Sequence, residues 1–344
     1  MRRLTISLLL LLAACTTRPP EVMHAEKQRG MSYACAFDRN RDIRYGSPAS
    51  AESLRELKRL GVTWISITPF GFTNAANGGS LRWSATGTWE SDDTLFAVTK
   101  QAHALGMHVL MKPHIWLRNR EAVEKWSDAD HRKFVEDYAG FLDHYATVAR
   151  DAGADALSIG NEVRFSTTRD EQAWRAMIAA TRKVFRGPLT YGANFDEVFD
   201  VPFWDALDWI GVSAYFPLVD APSPDRAALV KAWQPIVAKL AALSERHRKP
   251  VLFTELGYRS AQYAAWRQWE IPRDAPPDAA AQRSAYEAFF EAVWPQPWLL
   301  GVYPWKWFSY PNHGNPDGND YDVEHKPAEE AIRAGYIAPA RPGS

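Results

Sequence analysis

The stretch ALSIGNEVRF, from Ala156 to Phe165, is apolar up to a glycine and then presents an amide and a carboxylate, Asn161 and Glu162. A second stretch, KPVLFTELGYRS at residues 249–260, has the same form and leads to Glu255. Short apolar runs bounded by polar residues predict buried strands. A carboxylate at the end of a buried strand is costly unless it has a partner or a task. Both glutamates are therefore candidates for function.

The rest of the chain repeats this unit, because each short apolar run is followed by an amphipathic helical stretch. About eight such alternations follow one another without a break in composition along 344 residues. Their strand-like runs begin at or near Met31, Val62, Met107, Ala156, Leu189, Asp208, Pro250 and Trp298. This pattern predicts one (β/α)8 TIM barrel. A doubly wound open sheet is the alternative, but no G-x-G-x-x-G turn follows the first strand and no P-loop motif is present.

In such a barrel the carboxyl ends of the strands meet at one mouth, where the chemistry takes place. Glu162 follows the fourth strand and Glu255 the seventh, so the two lie across the mouth from each other. Paired carboxyl groups suit glycoside hydrolysis, in which one protonates the leaving oxygen and the other attacks the anomeric carbon or activates water. The alternative is that the glutamates are held in ion pairs by Arg164, Arg259 or Lys306.

Several strand ends together resemble a known family. The stretches GVTWISITPF, GMHVLMKPHIW, LSIGNEV, VLFTELGYRS and GVYPWKWF, with KPAEEAI after the last, resemble glycoside hydrolase family 113. This family belongs to clan A, the retaining (β/α)-barrel glycosidases, and its known members are mostly β-1,4-mannanases. The resemblance covers residues from about Gly30 to Tyr336. It implies that Glu162 is the acid/base and Glu255 the nucleophile of a double displacement.

The resemblance also implies a set of substrate contacts. Asn161 would hydrogen-bond the substrate 2-hydroxyl, and Tyr215 would orient the nucleophile and help to keep it ionised. Trp305 would form the floor under the sugar being cleaved, where His114 would bond a hydroxyl. Strand-end position alone adds three further candidates for substrate binding, which are Phe70, Trp116 and Asn194.

Fifteen tryptophans are an unusual number for a chain of this length. They fit either a large core or a groove that stacks the flat faces of sugar rings. Trp83 and Trp89 lie in a long loop after the second strand, and Trp266 and Trp269 lie in the loop after the seventh. Long loops in compact domains tend to be functional. Outlying sugar subsites and plain loop anchoring therefore both remain open for these four residues.

The net charge and the motifs of the chain limit the classes of molecule that it can be expected to bind. The net charge of −1 argues against a nucleic-acid partner, whose phosphates call for a basic face. We expect no cofactor and no metal, and the acidic stretch NPDGNDYD at residues 315–322 lacks EF-hand spacing and predicts a solvated turn. The expected partner is an oligo- or polysaccharide bound by a monomer. One alternative is an enzyme of the same clan that acts on another β-glycan. The other is a barrel that binds glycan without cutting it, whose sequence would be expected to lack one of the two glutamates.

The sequence of the N-terminus is typical of a targeting segment that is not part of the folded domain. Two arginines precede an apolar run, residues 4–14, that is too short to span a membrane comfortably, and LAAC at Leu12–Cys15 resembles a bacterial lipoprotein processing box. We expect a signal peptide at 1–14, lipid on Cys15, a tether at 15–29, the barrel at 30–337 and a tail at 338–344. The protein would then be anchored to a membrane of the bacterial cell envelope. An ordinary secretory signal is the alternative.

Overall fold

Eight parallel strands form a closed barrel in the computed structural model, which describes residues 26–35, 40–83, 90–311, 315 and 317–338. They are β1 (Gln28–Ala34), β2 (Trp64–Ile67), β3 (His108–Met111), β4 (Ala156–Asn161), β5 (Leu189–Asn194), β6 (Ile210–Ser213), β7 (Val251–Leu256) and β8 (Leu299–Pro304). Each strand pairs with the next along the chain, and β8 closes the ring on β1, with Gln28 opposite Gly301. The predicted (β/α)8 TIM barrel is confirmed, and closure excludes the open sheet.

The helices surround this barrel. They are α1 (Pro48–Arg59), α2 (Asp92–Ala104), α3 (Asp128–Ala152), the short α4 (Arg164–Thr167), α5 (Glu171–Val184), α6 (Arg226–His247), α7 (Ala279–Ala292) and α8 (Pro327–Ile337). The longest, α3, begins at a capping box between Ser127 and Asp130 and ends at Gly153, whose φ of 74° is left-handed. Between β5 and β6, a segment described throughout, a single 3₁₀ turn at Trp204–Ala206 replaces the helix.

Two apolar clusters hold the barrel together. The large one lies between the strands and the helices and includes the fully buried Trp174, Trp233 and Phe253. The small one consists of Leu110, Ala156, Leu252 and Tyr303 with partly buried neighbours. Strand residues alternate in direction, so Leu252 and Phe253 face opposite sides of β7. The small cluster therefore fills the inside of the barrel, which leaves the upper interior to polar side chains.

A small second sheet extends β2 and β3 beyond the rim of the mouth. Its strands are Phe70–Asn74, Leu81–Arg82 and His114–Arg118. In the parallel pair, Phe70 lies opposite His114 and Phe72 opposite Trp116. Because side chains alternate along a strand, these four residues share one face of the sheet. Three predicted site residues, Phe70, His114 and Trp116, are thus side by side.

The barrel begins two residues before the predicted boundary with the tether at residue 30, since β1 starts at Gln28. The polar side chains there resemble a linker in sequence, but they are tied to β8. Gln28 Oε1 accepts a hydrogen bond from the Tyr303 hydroxyl (2.8 Å), and Lys27 Nζ donates to the carbonyls of Gln296 and Leu299, each at 2.7 Å. The predicted signal peptide and Cys15 lie outside the described residues. Among the helices of the described ranges, none has the length and apolar character needed to cross a membrane.

Candidate active site

The two glutamates lie where the sequence places them, at the carboxyl ends of β4 and β7. Glu255 is buried and is the last residue but one of β7. Glu162 follows the last residue of β4, and its N–H donates to the Gly192 carbonyl on β5 at 2.9 Å. Its φ of 52° is left-handed, which is uncommon for a residue other than glycine and occurs often at functional sites. The chain therefore leaves β4 in a constrained turn at the glutamate itself.

Glu255 is held on both carboxylate oxygens. Lys112 Nζ lies 2.6 Å from Oε1, and the Tyr215 hydroxyl donates to Oε2 at 2.8 Å. Burial disfavours the charged carboxylate, but the Lys112 charge and these two hydrogen bonds outweigh it and hold the pKa of Glu255 below its usual value. The side chain is therefore an ionised carboxylate at neutral pH. The contact expected between Tyr215 and Glu255 is present.

The sequence analysis missed Lys112, although the signal that revealed the glutamates also applies to it. It follows the apolar run of β3 directly, and its side chain is completely buried. Besides Glu255, its ammonium group donates to the Thr254 carbonyl at 3.1 Å. A buried lysine is uncommon unless it is paired. The site therefore contains three charged or ionisable side chains at strand ends. The sequence analysis predicted the two glutamates but not Lys112.

The ion-pair alternative named the wrong cations. Arg164 pairs with Asp196 and Asp200, and Lys306 pairs with Asp320. Arg259 donates to main-chain carbonyls, among them that of Ile271 at 2.6 Å. None of the three is paired with Glu162 or Glu255 in the hydrogen bonds and ion pairs of the described residues. One carboxylate does form a buried ion pair, but its partner is Lys112.

His114 and Trp305 line the space beside Glu255. The two rings are parallel, with an interplanar angle of 7° and centroids 6.2 Å apart. His114 Nε2 lies 3.4 Å from Glu255 Oε1 but is buried and has no hydrogen-bond partner among the described residues. Burial and the Lys112 charge lower the pKa of His114 to about 3, so its imidazole is neutral. An unpartnered buried nitrogen is uncommon, and this one faces the Glu255 carboxylate, which marks the position for function.

Glu162 has the opposite electrostatic environment. Burial and the negative charge of Glu255 raise the pKa of Glu162 to about 7, while the nearby Ser213 hydroxyl and the charge of Arg120 act in the opposite direction. Beside it, Asn161 Oδ1 accepts a hydrogen bond from the Ser213 hydroxyl at 3.4 Å. One carboxyl of the pair is therefore a proton donor near neutral pH while the other is an anion. Environments that push two pKa values apart in this way assign acid and base roles.

A buried polar network holds the turn after Glu162. The Val163 N–H donates to the Tyr191 hydroxyl at 2.9 Å, and that hydroxyl donates to Glu197 Oε1 at 2.7 Å. Glu197 also accepts from the Thr167 hydroxyl at 2.8 Å and from the Asn194 N–H at 3.1 Å. Sequence reasoning did not find this network. Its members lie on three different segments, and a tyrosine within an apolar strand looks like core in sequence.

The remaining predicted site residues are placed with different degrees of access. Phe70 lies 5.4 Å from His114 and 6.3 Å from Trp116 between ring centroids, and Trp116 is 54% exposed. Asn194 is partly buried, and its Oδ1 accepts a hydrogen bond from the N–H of Phe195, so its side chain closes a local turn. Phe70 and Trp116 thus line one wall of the mouth. Their contacts with substrate stay predictions.

The loop tryptophans separate into two kinds. Trp83 packs edge-on against Phe141 of α3, with centroids 5.8 Å apart, which is loop anchoring. Trp266 is partly buried with the Arg267 guanidinium over its ring. Trp269 is 52% exposed and stacks on Phe195. Trp89 lies outside the described residues.

The acidic stretch near residue 320 forms ion pairs. Asp320 pairs with Lys306, and the buried Asp322 pairs with the buried Lys326 at 3.1 Å. Asp322 therefore departs from the solvated turn expected there, because a lysine four residues further on neutralises it inside the protein. Within the part of the chain that the structure describes, no group of three or more His, Cys, Asp or Glu side chains is placed to bind a metal ion.

The comparisons with known proteins agree with this geometry. The family model of Glycoside Hydrolase Family 113 matches residues 31–326. The chain belongs to glycoside hydrolase family 113. The resemblance noted in the sequence is thereby confirmed, and the protein is a glycoside hydrolase whose substrate is a carbohydrate.

Solved structures of this family are similar over nearly the whole chain. The β-mannanase of Alicyclobacillus acidocaldarius, in complex with ManMIm, is 25% identical with a TM-score of 0.79, covering 92% of this chain and 98% of its own. Another family 113 β-1,4-mannanase is 25% identical with a TM-score of 0.78, over 92% and 100%. The β-glucuronidase of Faecalibacterium prausnitzii, at 12% identity and a TM-score of 0.61 over 91% and 49%, shares the fold alone. No curated protein sequence matches the chain.

Proposed function

We propose that this family 113 glycoside hydrolase cleaves β-1,4-mannan or manno-oligosaccharides with retention of configuration. The observation that carries the mechanism is the opposed electrostatics of Glu162, with a pKa of about 7, and the ionised Glu255. The sugar is supported by the family 113 structures similar to this chain, which are β-mannanases.

In the first step the Glu255 carboxylate attacks the anomeric carbon of the bound sugar. The bond from that carbon to the glycosidic oxygen breaks, and Glu162 gives its proton to the departing oxygen. The products are a glycosyl ester on Glu255 and the released chain with a new hydroxyl group. The buried Lys112 and Tyr215 keep Glu255 ionised, so the nucleophile needs no deprotonation before it attacks.

In the second step Glu162, now a carboxylate, takes a proton from water while the water oxygen attacks the anomeric carbon. The ester bond breaks, the electron pair returns to Glu255, and the sugar leaves with its original configuration. Formation of the glycosyl ester neutralises Glu255 and lowers the pKa of Glu162, which favours its role as base at this stage. The cycle ends with both carboxyl groups in their starting states.

Three side chains are suited to hold the sugar during both steps. The neutral His114, with its buried and unpartnered Nε2, offers a hydrogen bond to a hydroxyl beside Glu255. The parallel ring of Trp305 offers an apolar surface for the sugar face. Asn161, adjacent to the acid, has its Oδ1 directed toward Ser213 and can accept from the substrate 2-hydroxyl.

The test uses the protein from Lys27 onward with mannohexaose as substrate. Proton NMR at early times should show the β-anomer of the new reducing end first, and Glu255→Ala should lose turnover while it still binds the sugar. Azide should rescue the Glu162→Ala variant on an activated aryl mannoside and give the β-mannosyl azide. Initial α-anomer, or a Glu255→Ala variant that keeps most of its rate, would contradict the mechanism.

Other β-glycans of the same clan are the second candidates. Parallel incubations with cello-, xylo- and galacto-oligosaccharides separate them, and turnover of one of these in place of the mannoside would replace the sugar without changing the mechanism. A barrel that binds glycan without cutting it has less support, because both carboxylates are present and their environments differ in the sense that catalysis requires.

We also propose that the protein is a monomer anchored by lipid on Cys15 to a membrane of the bacterial cell envelope. The support is the LAAC sequence at residues 12–15 after a short apolar run. Cys15→Ser in the full chain should move the protein from the membrane fraction to the soluble fraction. Mass spectrometry should find a diacylglyceryl group on Cys15 of the wild type. A fully soluble wild type would contradict the anchor.

A further inference from the structure

Two aromatic surfaces lie on different sides of the catalytic pair. The first, the β2–β3 surface, consists of Phe70, Phe72 and Trp116 on the small sheet beyond those strands. The second, the β5–β7 surface, consists of Phe195, Phe216 and Trp269. In the ring of eight strands, β2 and β3 lie across the mouth from β6 and β7. The mouth is thus flanked by aromatic rings on both sides.

The β5–β7 surface begins next to a residue that binds Glu255. Phe216 follows Tyr215, whose hydroxyl binds Glu255, and its ring lies 5.7 Å from that of Phe195. Phe195 stacks on Trp269 with centroids 5.5 Å apart and an interplanar angle of 22°. The three rings therefore form one continuous surface that begins at the buried Phe216 and ends at the exposed Trp269.

The hydrogen bonds that hold the loop of Trp269 are made by its neighbours. Its loop is held by the buried Gln268, whose Oε1 accepts from the Arg259 N–H at 3.3 Å, and by Arg259, which donates to the carbonyls of Ile271 and Pro272. These bonds fix the turn on both sides of Trp269. The indole nevertheless stays 52% exposed, with one face on Phe195. Exposed large aromatic rings beside a mouth are typical of ligand contacts.

The side of the mouth indicates which part of a substrate this surface meets. The parallel rings of His114 and Trp305 lie beside Glu255, and Phe70 contacts His114, so the β2–β3 surface continues the side of the sugar that becomes bonded to the nucleophile. The β5–β7 surface starts on β5, the strand next to the acid Glu162 on β4. This is the side toward which the protonated leaving group departs.

We infer that Trp269 and Phe195 bind a pyranose ring of the leaving-group portion of the glycan. The ring would stack its C–H face on the exposed indole, which contributes binding without consuming hydrogen bonds. The inference rests on the proposed hydrolysis of β-linked glycans. It implies that the enzyme cuts within a chain that crosses the mouth, and that the same surface binds the acceptor sugar when a sugar replaces water.

The test compares the wild type with Trp269→Ala and Trp116→Ala on two substrates. Mannohexaose occupies both sides of the mouth, whereas a 4-nitrophenyl β-mannobioside places no sugar on the leaving-group side. Trp269→Ala should lower kcat/KM for mannohexaose about tenfold, mainly by raising KM. The same substitution should change kcat/KM for the aryl mannobioside less than about twofold. Trp116→Ala, the matched control on the other surface, should lower both.

A Trp269→Ala protein with unchanged values on both substrates would overturn the inference, and an equal loss on both would overturn the assignment to the leaving-group side. Calorimetry in the Glu255→Ala background separates this from failure of the proposed function, because it reads binding without turnover. There, Trp269→Ala should weaken mannohexaose binding about tenfold. If the wild type cleaves no mannoside and the Glu255→Ala protein binds none, both the proposed sugar and this inference fail. If the Glu255→Ala protein binds mannohexaose equally well with and without Trp269, only the inference fails.

Discussion

Lys112 Nζ and Glu255 Oε1 lie 2.6 Å apart, and neither side chain is more than 6% exposed. The two residues are separated by 143 positions in sequence and lie on strands that are not neighbours in the barrel. A buried ion pair is weak support for stability, because desolvation of both charges opposes their attraction. Its consequence here is chemical, since a buried ammonium holds the carboxylate in its charged state.

Replacement of Lys112 by methionine should therefore change the pH dependence of catalysis. Loss of the ammonium leaves only the Tyr215 hydrogen bond to oppose desolvation of the buried carboxylate, so the pKa of Glu255 should rise and the acid limb of kcat/KM should move to higher pH. We expect kcat/KM at pH 6 to fall at least about a hundredfold. The measurement is a pH profile on an aryl mannoside.

Lys326→Met is the matched control, because Lys326 is also completely buried and paired with a carboxylate, Asp322. It should lower the thermal midpoint as a broken buried pair does, yet leave the acid limb where it is in the wild type. A Lys112→Met protein whose acid limb does not move relative to this control would show that Lys112 is structural only.

The wild-type pH profile should be bell-shaped, with limbs set by the two glutamates. Glu162 must carry a proton in the first step, so activity should fall as pH rises through its pKa of about 7. Glu255 must be ionised, and because its pKa is held below its usual value, activity should persist down to and below pH 4.5, the ordinary value for a glutamate. Rates of kcat/KM between pH 3 and 9 test both limbs. A basic limb that survives in Glu162→Gln would assign that limb to another group.

The network behind Glu162 should matter for the position of the acid and not only for stability. Tyr191→Phe removes the hydroxyl that accepts from the Val163 N–H and donates to Glu197, so the turn that carries Glu162 should loosen. We expect kcat on mannohexaose to fall about tenfold or more, since a displaced acid protonates the leaving group poorly. A dinitrophenyl mannoside, whose leaving group needs no proton, should lose much less in its first step.

Tyr138→Phe serves as the control for that comparison. The Tyr138 hydroxyl is equally buried and donates to the Ile159 carbonyl on β4 at 2.9 Å, but it does not bind the turn after Glu162. Its loss should lower stability without a dependence on leaving group. Equal losses on both substrates for Tyr191→Phe would reduce this network to a structural role.

Closure of the barrel should depend on the absence of a side chain at residue 301. A Cβ added to Gly301 would lie 2.4 Å from the Gln28 carbonyl oxygen on the adjacent β1. Gly301→Ala should therefore lower the free energy of unfolding by about 1–3 kcal/mol. In contrast, Gly140→Ala in α3 meets only the end of the Trp83 ring at 3.3 Å and gains helix propensity. Urea titrations should rank Gly301→Ala as the less stable protein, and the reverse order would contradict strand closure at this contact.

The barrel and its two glutamates could be predicted because the signals are local. Each strand is a short apolar run, each carboxylate ends one, and the order of strands places Glu162 and Glu255 across one mouth. Lys112 carried the same local signal, but its partner is distant in sequence, so only the closed ring brings the two together. The role of Tyr191 was equally hidden, because its hydroxyl acts through a main-chain N–H that any residue provides.

The tryptophans show where local signals end. Trp83 and Trp269 both lie in long loops and cannot be distinguished by sequence pattern. What separates them is the partner and the exposure of each ring, because Trp83 packs on Phe141 of α3 whereas Trp269 stacks on Phe195 and stays 52% exposed. The sequence analysis placed the start of the barrel two residues too late for a similar reason. The polar residues Gln28 and Arg29 belong to β1 only because they pair with β8.

The hydrogen bonds from Lys27 to the beginning of β8 determine where a lipid anchor would be attached to the barrel. Gln296 and Leu299 lie where β8 begins, which is the closed end of the barrel and the end opposite the mouth. In the proposed lipoprotein, residues 16–27 join this closed end to the acyl chains on Cys15, with a reach of at most about 40 Å. The lipid would thus be attached at the end of the barrel opposite the mouth, so the anchor itself would not cover the catalytic opening. Long glycans would approach it from the aqueous compartment, unobstructed by the surface that retains the enzyme.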